Sequence, residues 1–177
     1  MSRVFAFDEA RFGLKVGLRR RWCPFGTRPP WLYEERYEWL WLYAAVDPLS
    51  GESVVLFLPH TDGRCLELFL SKLRERFPEG RLGVVLDNSG SHTSTQVQWP
   101  QDMTPIRLPP YSPELNPVER WFEELRKSLG NAIFETKQKL EEALTKALEP
   151  FWHHPDDLRQ LTGYPWWRVA VHLGEDI

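Results

Sequence analysis

An α/β fold built on one mixed sheet is what this sequence predicts, and three observations carry that expectation. Its first sixty residues hold three apolar runs of strand length, "VFAF" (4–7), "WLWLYAAVD" (39–47) and "SVVLFLP" (53–59). From residue 62 the apolar period changes to three- and four-residue steps, the spacing of a helix. Beyond that point helical and strand-like segments follow one another. A meander of strands followed by alternating helix and strand gives a mixed sheet with helices on its faces. No internal repeat, linker or low-complexity segment divides the 177 residues, so a single domain over 1–177 is expected.

Each element has its own reason. "VFAF" is an apolar run ending on Asp8 and reads as a buried strand. "RFGLKVGLRRRWCPFGTRP" (11–29), rich in Gly, Pro and Arg, reads as a hairpin or extended loop. The runs at 39–47 and 53–59 flank "DPLSG", where Pro48 and Gly51 supply a turn, so they form an antiparallel hairpin. Thr61 or Asp62 caps a helix whose buried stripe is Leu66, Phe69, Leu70, Leu73 and Phe77. "FPEG" stops it, and "RLGVVLDN" (81–88) is a strongly apolar strand with Asp87 at its exit. A short helix over about 91–98 and a strand "TPIRLP" (104–109) come next. Helices from Pro117 to about Leu129 and from about Thr136 to Trp152 follow, and the tail reads as a short helix with an irregular ending.

Composition narrows the function classes. Apolar residues at 42% and charged residues at 27% describe an ordinary globular protein, and nine tryptophans point to a core rich in aromatic packing. Cys23 and Cys65 fit no metal-ligand spacing and cannot build a disulfide framework, which suits a reducing, cytoplasmic setting. No apolar run approaches membrane-spanning length and the N-terminus lacks a signal-peptide plan, so no membrane partner is expected. The net charge of −3 hides an asymmetry: residues 1–30 carry seven basic groups (Arg3, Arg11, Lys15, Arg19, Arg20, Arg21 and Arg28) against Asp8 and Glu9. A basic segment beside an acidic body suits an enzyme that grips phosphates at one edge and holds cations elsewhere; a solvated basic loop explains the charge equally well.

Three carboxylates stand out. Asp8 and Asp87 each follow an apolar strand, where a charged group is costly unless paired, hydrogen-bonded or bound to metal. A strand-end aspartate is more often a turn or cap residue, and only the recurrence of the pattern lowers that reading. Glu119 follows "LPPYSPELNP", where Pro109, Pro110 and Pro113 stiffen the approach to a helix. Asn116 at the N-cap, Pro117 at the first helical position and Glu119 at the third make a capping-box-like pattern, a sufficient reason for a glutamate there. Capping leaves the upstream prolines unexplained. Hard oxygen ligands on a rigid frame suit Mg²⁺ or Mn²⁺, and two such ions serve phosphodiester chemistry. A glycosidase also needs two carboxylates, but neither a third nor a basic hairpin.

"FDEARFGL" (7–14), "VVLDNSGSH" (84–92) and "LPPYSPELNPVERWFEEL" (108–125), in that order, closely resemble the DDE transposases of bacterial insertion sequences related to mariner elements. The last motif is the most specific, the 31 residues between Asp87 and Glu119 agree with the family's short final interval, and "LTGYP" resembles its tail. The resemblance implies a ribonuclease H-like fold, with a mixed five-stranded sheet and helices on both faces. It further implies that Asp8, Asp87 and Glu119 hold two divalent ions, with Asn88 and His92 in supporting roles. Arg11, Arg19, Arg20 and Arg21 are the candidate DNA contacts, while Tyr111, Ser112 and Asn116 shape the approach to the helix. The implied reaction is metal-dependent cleavage at transposon ends and transfer of the freed 3′-hydroxyl into target DNA, without a covalent protein–DNA intermediate. The implied partners are transposon-end and target DNA, with room for a homodimer.

One departure bears on partners. Members of that family carry an N-terminal helix-turn-helix region that recognises transposon ends, and these residues supply no helix with a basic face of that kind. The expectation is a chain without that region: a second reading frame served by a separate recognition chain, a catalytic fragment, or a remnant. A nuclease that cuts DNA without strand transfer is one alternative function. A non-catalytic or domesticated DNA-binding or assembly subunit is the other.

Overall fold

The central strand is longer than its apolar run suggests. In this computed structural model, which describes residues 3–14, 22–27, 36–89 and 97–175, strand β1 spans Arg3–Gly13. Its apolar start was legible, whereas its second half, with Asp8, Glu9 and Arg11, was expected to be strand exit and loop. The second half is held by pairing: β2 (Trp39–Val46) runs antiparallel to it from Ala6↔Val46 to Gly13↔Trp39. Ladder hydrogen bonds are indifferent to side-chain polarity, so a partner strand extends β1 past the residues that end its apolar pattern.

Strand β3 (Ser53–Leu58) completes the expected hairpin with β2. Helix α1 (Gly63–Arg76) then crosses over to β4 (Leu82–Leu86), which lies parallel to β1, and β5 (Met103–Arg107) lies parallel to β4. The sheet order is β3-β2-β1-β4-β5, mixed and five-stranded as expected. Between the two candidates for the cap of α1, Asp62 is the one used: its Oδ1 accepts from the Cys65 N–H at 2.8 Å.

Helices cover both faces. On one face Phe5, Phe7 and Tyr43 pack against Leu66, Phe69, Leu70 and Leu73 of α1. On the other, Ala6, Ala10, Phe12 and Leu42 pack against α2 (Pro117–Ser128), α3 (Lys137–His153) and α4 (Pro155–Thr162). Strand alternation in β1 therefore serves two cores, with odd-numbered residues facing α1 and even-numbered ones facing α2. Among the described tryptophans only Trp121 and Trp167 are buried; phenylalanines and Tyr43 carry most of the aromatic packing.

The tail differs from its expected irregular ending. Helix α5 (Pro165–Glu175) follows α4, and Trp167 is buried in the core shared with α2. The "DPLSG" turn is a docking surface as well as a turn. Asp47 Oδ1 accepts from the Leu49 N–H at 2.9 Å, and Gly51 sits at φ +78° with the start of α4 against it. A Cβ on Gly51 would lie 1.8 Å from the Pro155 carbonyl oxygen, so glycine is required both by conformation and by space. The segment at 11–29 is seen in part: residues 11–13 finish β1 and residues 22–27 form a turn with Gly26 at φ +79°. The short helix expected over 91–98 falls mostly outside the described residues.

Candidate active site

Strand order brings the two aspartates together. The parallel register pairs Ala6 with Val85, so two residues further along Asp8 and Asp87 stand side by side where β4 ends. Ala6 and Val85 belong to the core beneath α2, so strand alternation turns both aspartates to that face. Asp8 lies within β1 rather than at its exit, a correction that follows from the β2 pairing. Glu119 reaches the same place as the third residue of α2. All three line one open cleft of about 470 Å³, walled on the far side by residues 108–113.

Asn116 fixes the geometry. It occupies the N-cap position of α2 without capping it: no backbone N–H of the helix bonds its side chain. Its Nδ2 instead donates to the Phe7 carbonyl at 3.0 Å and lies 3.4 Å from Asp8 Oδ2. Its own N–H is taken by the Pro113 carbonyl, so the reciprocal half of a capping box is also missing. The expected box is therefore not formed. A buried strand carbonyl and a half-buried carboxylate need a donor more than helix N–H groups near solvent need an acceptor. The residue is 3% exposed, and its Oδ1 has no partner among the described residues. Sequence reading missed this contact, and its one signal was an asparagine at a helix mouth that also lies beside a carboxylate.

The electrostatics are those of crowded acids. Asp8 Oδ1 accepts from the Glu9 N–H at 2.8 Å, yet its carboxyl is pushed up from 3.8 to about 8. Burial is the largest cause; the Glu9 N–H opposes it, and the charges of Glu119, Glu9 and Asp87 add to it. Asp87 Oδ1 accepts from the Ser89 N–H at 2.9 Å, and the Asp87 carbonyl accepts from Arg107 at 3.1 Å. Glu119 lies 3.9 Å from Arg126, whose guanidinium rests over the Phe12 and Phe122 rings. Glu123 is paired with Arg120 on the outer side of α2 and does not line the cleft.

The proline segment is braced at several points. The Asn88 amide donates to the Leu108 carbonyl at 2.8 Å, and the Leu108 N–H donates to Leu86 at 2.9 Å. A 3₁₀ turn, Pro113–Leu115, leads into Asn116, and Pro117 opens α2. Within this segment Tyr111 has φ +59° and a fully exposed ring. The left-handed conformation costs a tyrosine about 1–2 kcal/mol.

The remaining candidates separate. Asn88 is at the cleft. Arg11 is not: its guanidinium lies over Trp39 and Trp41, on the sheet face away from Asp8. Arg3 is likewise engaged, by Glu52 and the Phe77 ring. His92 and the arginines 19–21 lie outside the described residues.

The donor set fits a hard divalent cation: three carboxylates with the buried, unpartnered amide oxygen of Asn116 behind them. As they stand, no three acidic, histidine or cysteine side chains among the described residues are gathered closely enough to enclose an ion. Burial and, after it, the neighbouring acids raise the Asp8 carboxyl, and a cation in the cleft would offset both by favouring the charged carboxylate.

A mixed sheet in this order, with helices on both faces and one acid within β1 beside another at the exit of the neighbouring parallel strand β4, defines a ribonuclease H-like fold. The solved structures agree. The Mos1 transposase paired-end complex with left transposon end superposes with a TM-score of 0.63 at 17% identity, over 89% of this chain and 52% of that one. The Mos1 Strand Transfer Complex gives 0.62 at 16% identity, over 89% and 52%. The Mos1 mariner paired end complex with Mn gives 0.58 at 18% identity, over 91% and 54%. The chain thus spans about half the length of the transposase chains it resembles. Residues 3–141 match the model of the DDE superfamily endonucleases, and the chain belongs to that family. A curated relative, the uncharacterized protein y4pE/y4sA of Sinorhizobium fredii (strain NBRC 101917 / NGR234), is 35% identical over 98 residues, 54% of this chain and 73% of its own. Among the described residues no helix is long and apolar enough to cross a membrane.

Proposed function

We propose that this chain is the catalytic domain of a transposase that cleaves DNA at transposon ends and joins the freed 3′-hydroxyl to target DNA. The observation that carries the reading is one cleft lined by Asp8, Asp87 and Glu119 in a chain of the DDE superfamily endonucleases. These three are the metal ligands and catalytic residues, and two ions, Mg²⁺ or Mn²⁺, are the cofactor. Such ions, when bound, activate the attacking oxygen and stabilise the leaving one in phosphodiester displacement. The likeness to a Mos1 complex with Mn supports this choice.

The chain's own residues set the geometry. Asn116 holds Asp8 against the mouth of α2, and Asn88 ties the exit of β4 to the cleft wall. In cleavage, water forms a new P–O bond as the bond to the 3′-oxygen breaks. In joining, that 3′-hydroxyl attacks a target phosphate, forming a new P–O bond as the target's own bond to its 3′-oxygen breaks and that oxygen leaves as a 3′-hydroxyl. His92 is assigned a supporting role near the scissile phosphate, and Arg19, Arg20 and Arg21 are assigned phosphate contacts. Arg11, engaged on its tryptophans, is left out of that group. Recognition of end sequences is assigned to a helix-turn-helix region outside these residues, in cis or on a separate chain.

The test is metal-dependent cleavage of labelled end DNA by Asp8→Asn, Asp87→Asn and Glu119→Gln, with folding followed by thermal melting. Each variant should lose cleavage at least a thousandfold, about 4 kcal/mol, while remaining folded. Glu119→Gln that cleaves normally but melts early would reduce this glutamate to a structural role. Cleavage without joined product on a labelled target would make the protein a nuclease rather than a transposase.

A further inference from the structure

We propose that Tyr111 is a stacking platform for a nucleobase of the DNA strand held in the acidic cleft, an inference that rests on the nuclease reading above. Three independent observations converge on it. The ring lies in the cleft wall and is 102% exposed, so it packs against nothing. Its backbone is left-handed at φ +59°, and the other described non-glycine residues at positive φ are Asp102 and Asn131, of the types that tolerate it. The backbone around it is braced by Pro109, Pro110 and Pro113, by Ser112 Oγ donating to the Pro110 carbonyl at 3.3 Å, and by Asn88 on Leu108. A rigid segment thus holds a strained aromatic residue out in solvent, where it stabilises no part of the fold.

Strain of this kind persists where the surroundings over-determine it, and it gathers at ligand clamps. The ligand class follows from the chemistry. A planar phenol ring in the wall of the cleft whose carboxylates would hold phosphate-bound cations offers a π-face to the bases of a strand lying there. Stacking on aromatics is tolerant of base identity because every base has a π-face. The platform therefore holds an unpaired or partly unstacked base next to the scissile phosphate and fixes the strand's path without reading its sequence.

The test uses the full chain and a duplex with a short single-stranded extension, carrying 2-aminopurine at the first unpaired position. Binding is measured by fluorescence with Ca²⁺, and cleavage separately with Mg²⁺. Tyr111→Ala should weaken binding about five- to hundredfold, the range for losing one stacked base. It should also abolish the quenching of 2-aminopurine, whereas Tyr111→Phe and Tyr111→Trp should keep both. Tyr111→Gly, which relieves the left-handed strain, should melt no lower than wild type while binding as poorly as Tyr111→Ala. The proposal is overturned if Tyr111→Ala binds and quenches like wild type, or if Tyr111→Phe is as impaired as Tyr111→Ala. Wild-type cleavage alongside unimpaired Tyr111→Ala would sink the stacking platform alone; wild type that neither binds nor cleaves would sink the nuclease reading with it.

Discussion

Replacing Asp8 with asparagine should destroy catalysis and yet stabilise the metal-free protein. The Asp8 carboxyl rises from 3.8 to about 8 on folding, so burial and neighbouring acids oppose its ionisation. The sign follows from linkage: a group whose folded pKa is raised supports the fold below its unfolded pKa, and that support is lost as pH rises through the folded value. The window here runs from about pH 4 to about pH 8. At 1.36 kcal/mol per unit, the cost at pH 7 approaches roughly 4 kcal/mol, and water in the open cleft reduces it to about 2 kcal/mol. Asparagine carries no charge and is nearly isosteric, and its one oxygen can keep the bond from the Glu9 N–H at 2.8 Å while giving up the longer contact with the Asn116 amide. In a protein of this size about 2 kcal/mol corresponds to a rise in Tm of about 4–8 °C. Thermal melts in EDTA at pH 5 and pH 8 should show the variant's advantage widening with pH. Adding Mg²⁺ should raise the wild type and leave the variant unchanged. A variant that melts below wild type at both pH values, or a gap that does not change with pH, would refute the argument.

Asn116→Ala should destabilise by about 1–3 kcal/mol in urea unfolding, since it strips a donor from the buried Phe7 carbonyl. Asn116→Ser, which can keep one hydrogen bond, should lose less. Gly51→Ala should be more damaging than a surface change, at about 2 kcal/mol or more by denaturant titration, because its Cβ meets the Pro155 carbonyl and its φ is positive. Replacing Arg19, Arg20 and Arg21 together with alanine should weaken DNA binding uniformly across sequences. It should flatten the log–log salt dependence by up to ~0.9 per lost phosphate contact; an unchanged slope in titrations at several salt concentrations would place these arginines away from DNA.

The local order of this fold is written in the sequence. Short apolar runs, the change of period at Asp62, the "DPLSG" turn and the proline approach to α2 depend on neighbours a few residues away, and each is found where its residues place it. The strand-following aspartates, the proline approach to Glu119 and the resemblance of their motifs to the transposases single out Asp8, Asp87 and Glu119, which the structure brings to one cleft. What tertiary structure decided are the features that need a distant partner. Strand β1 runs on through Asp8 and Arg11 because β2 supplies a ladder, and the same alternation sends Arg11 to the face away from the acids. The tail forms a second helix because Trp167 has a core to enter, one built by α2 and β1. Asn116 abandons the cap its position promised because, 109 residues earlier in the chain, Phe7 offers a buried carbonyl with Asp8 beside it. A cap is a local bargain between neighbours, and a buried acceptor brought in by the sheet outweighs it, a competition no window of sequence around Asn116 contains.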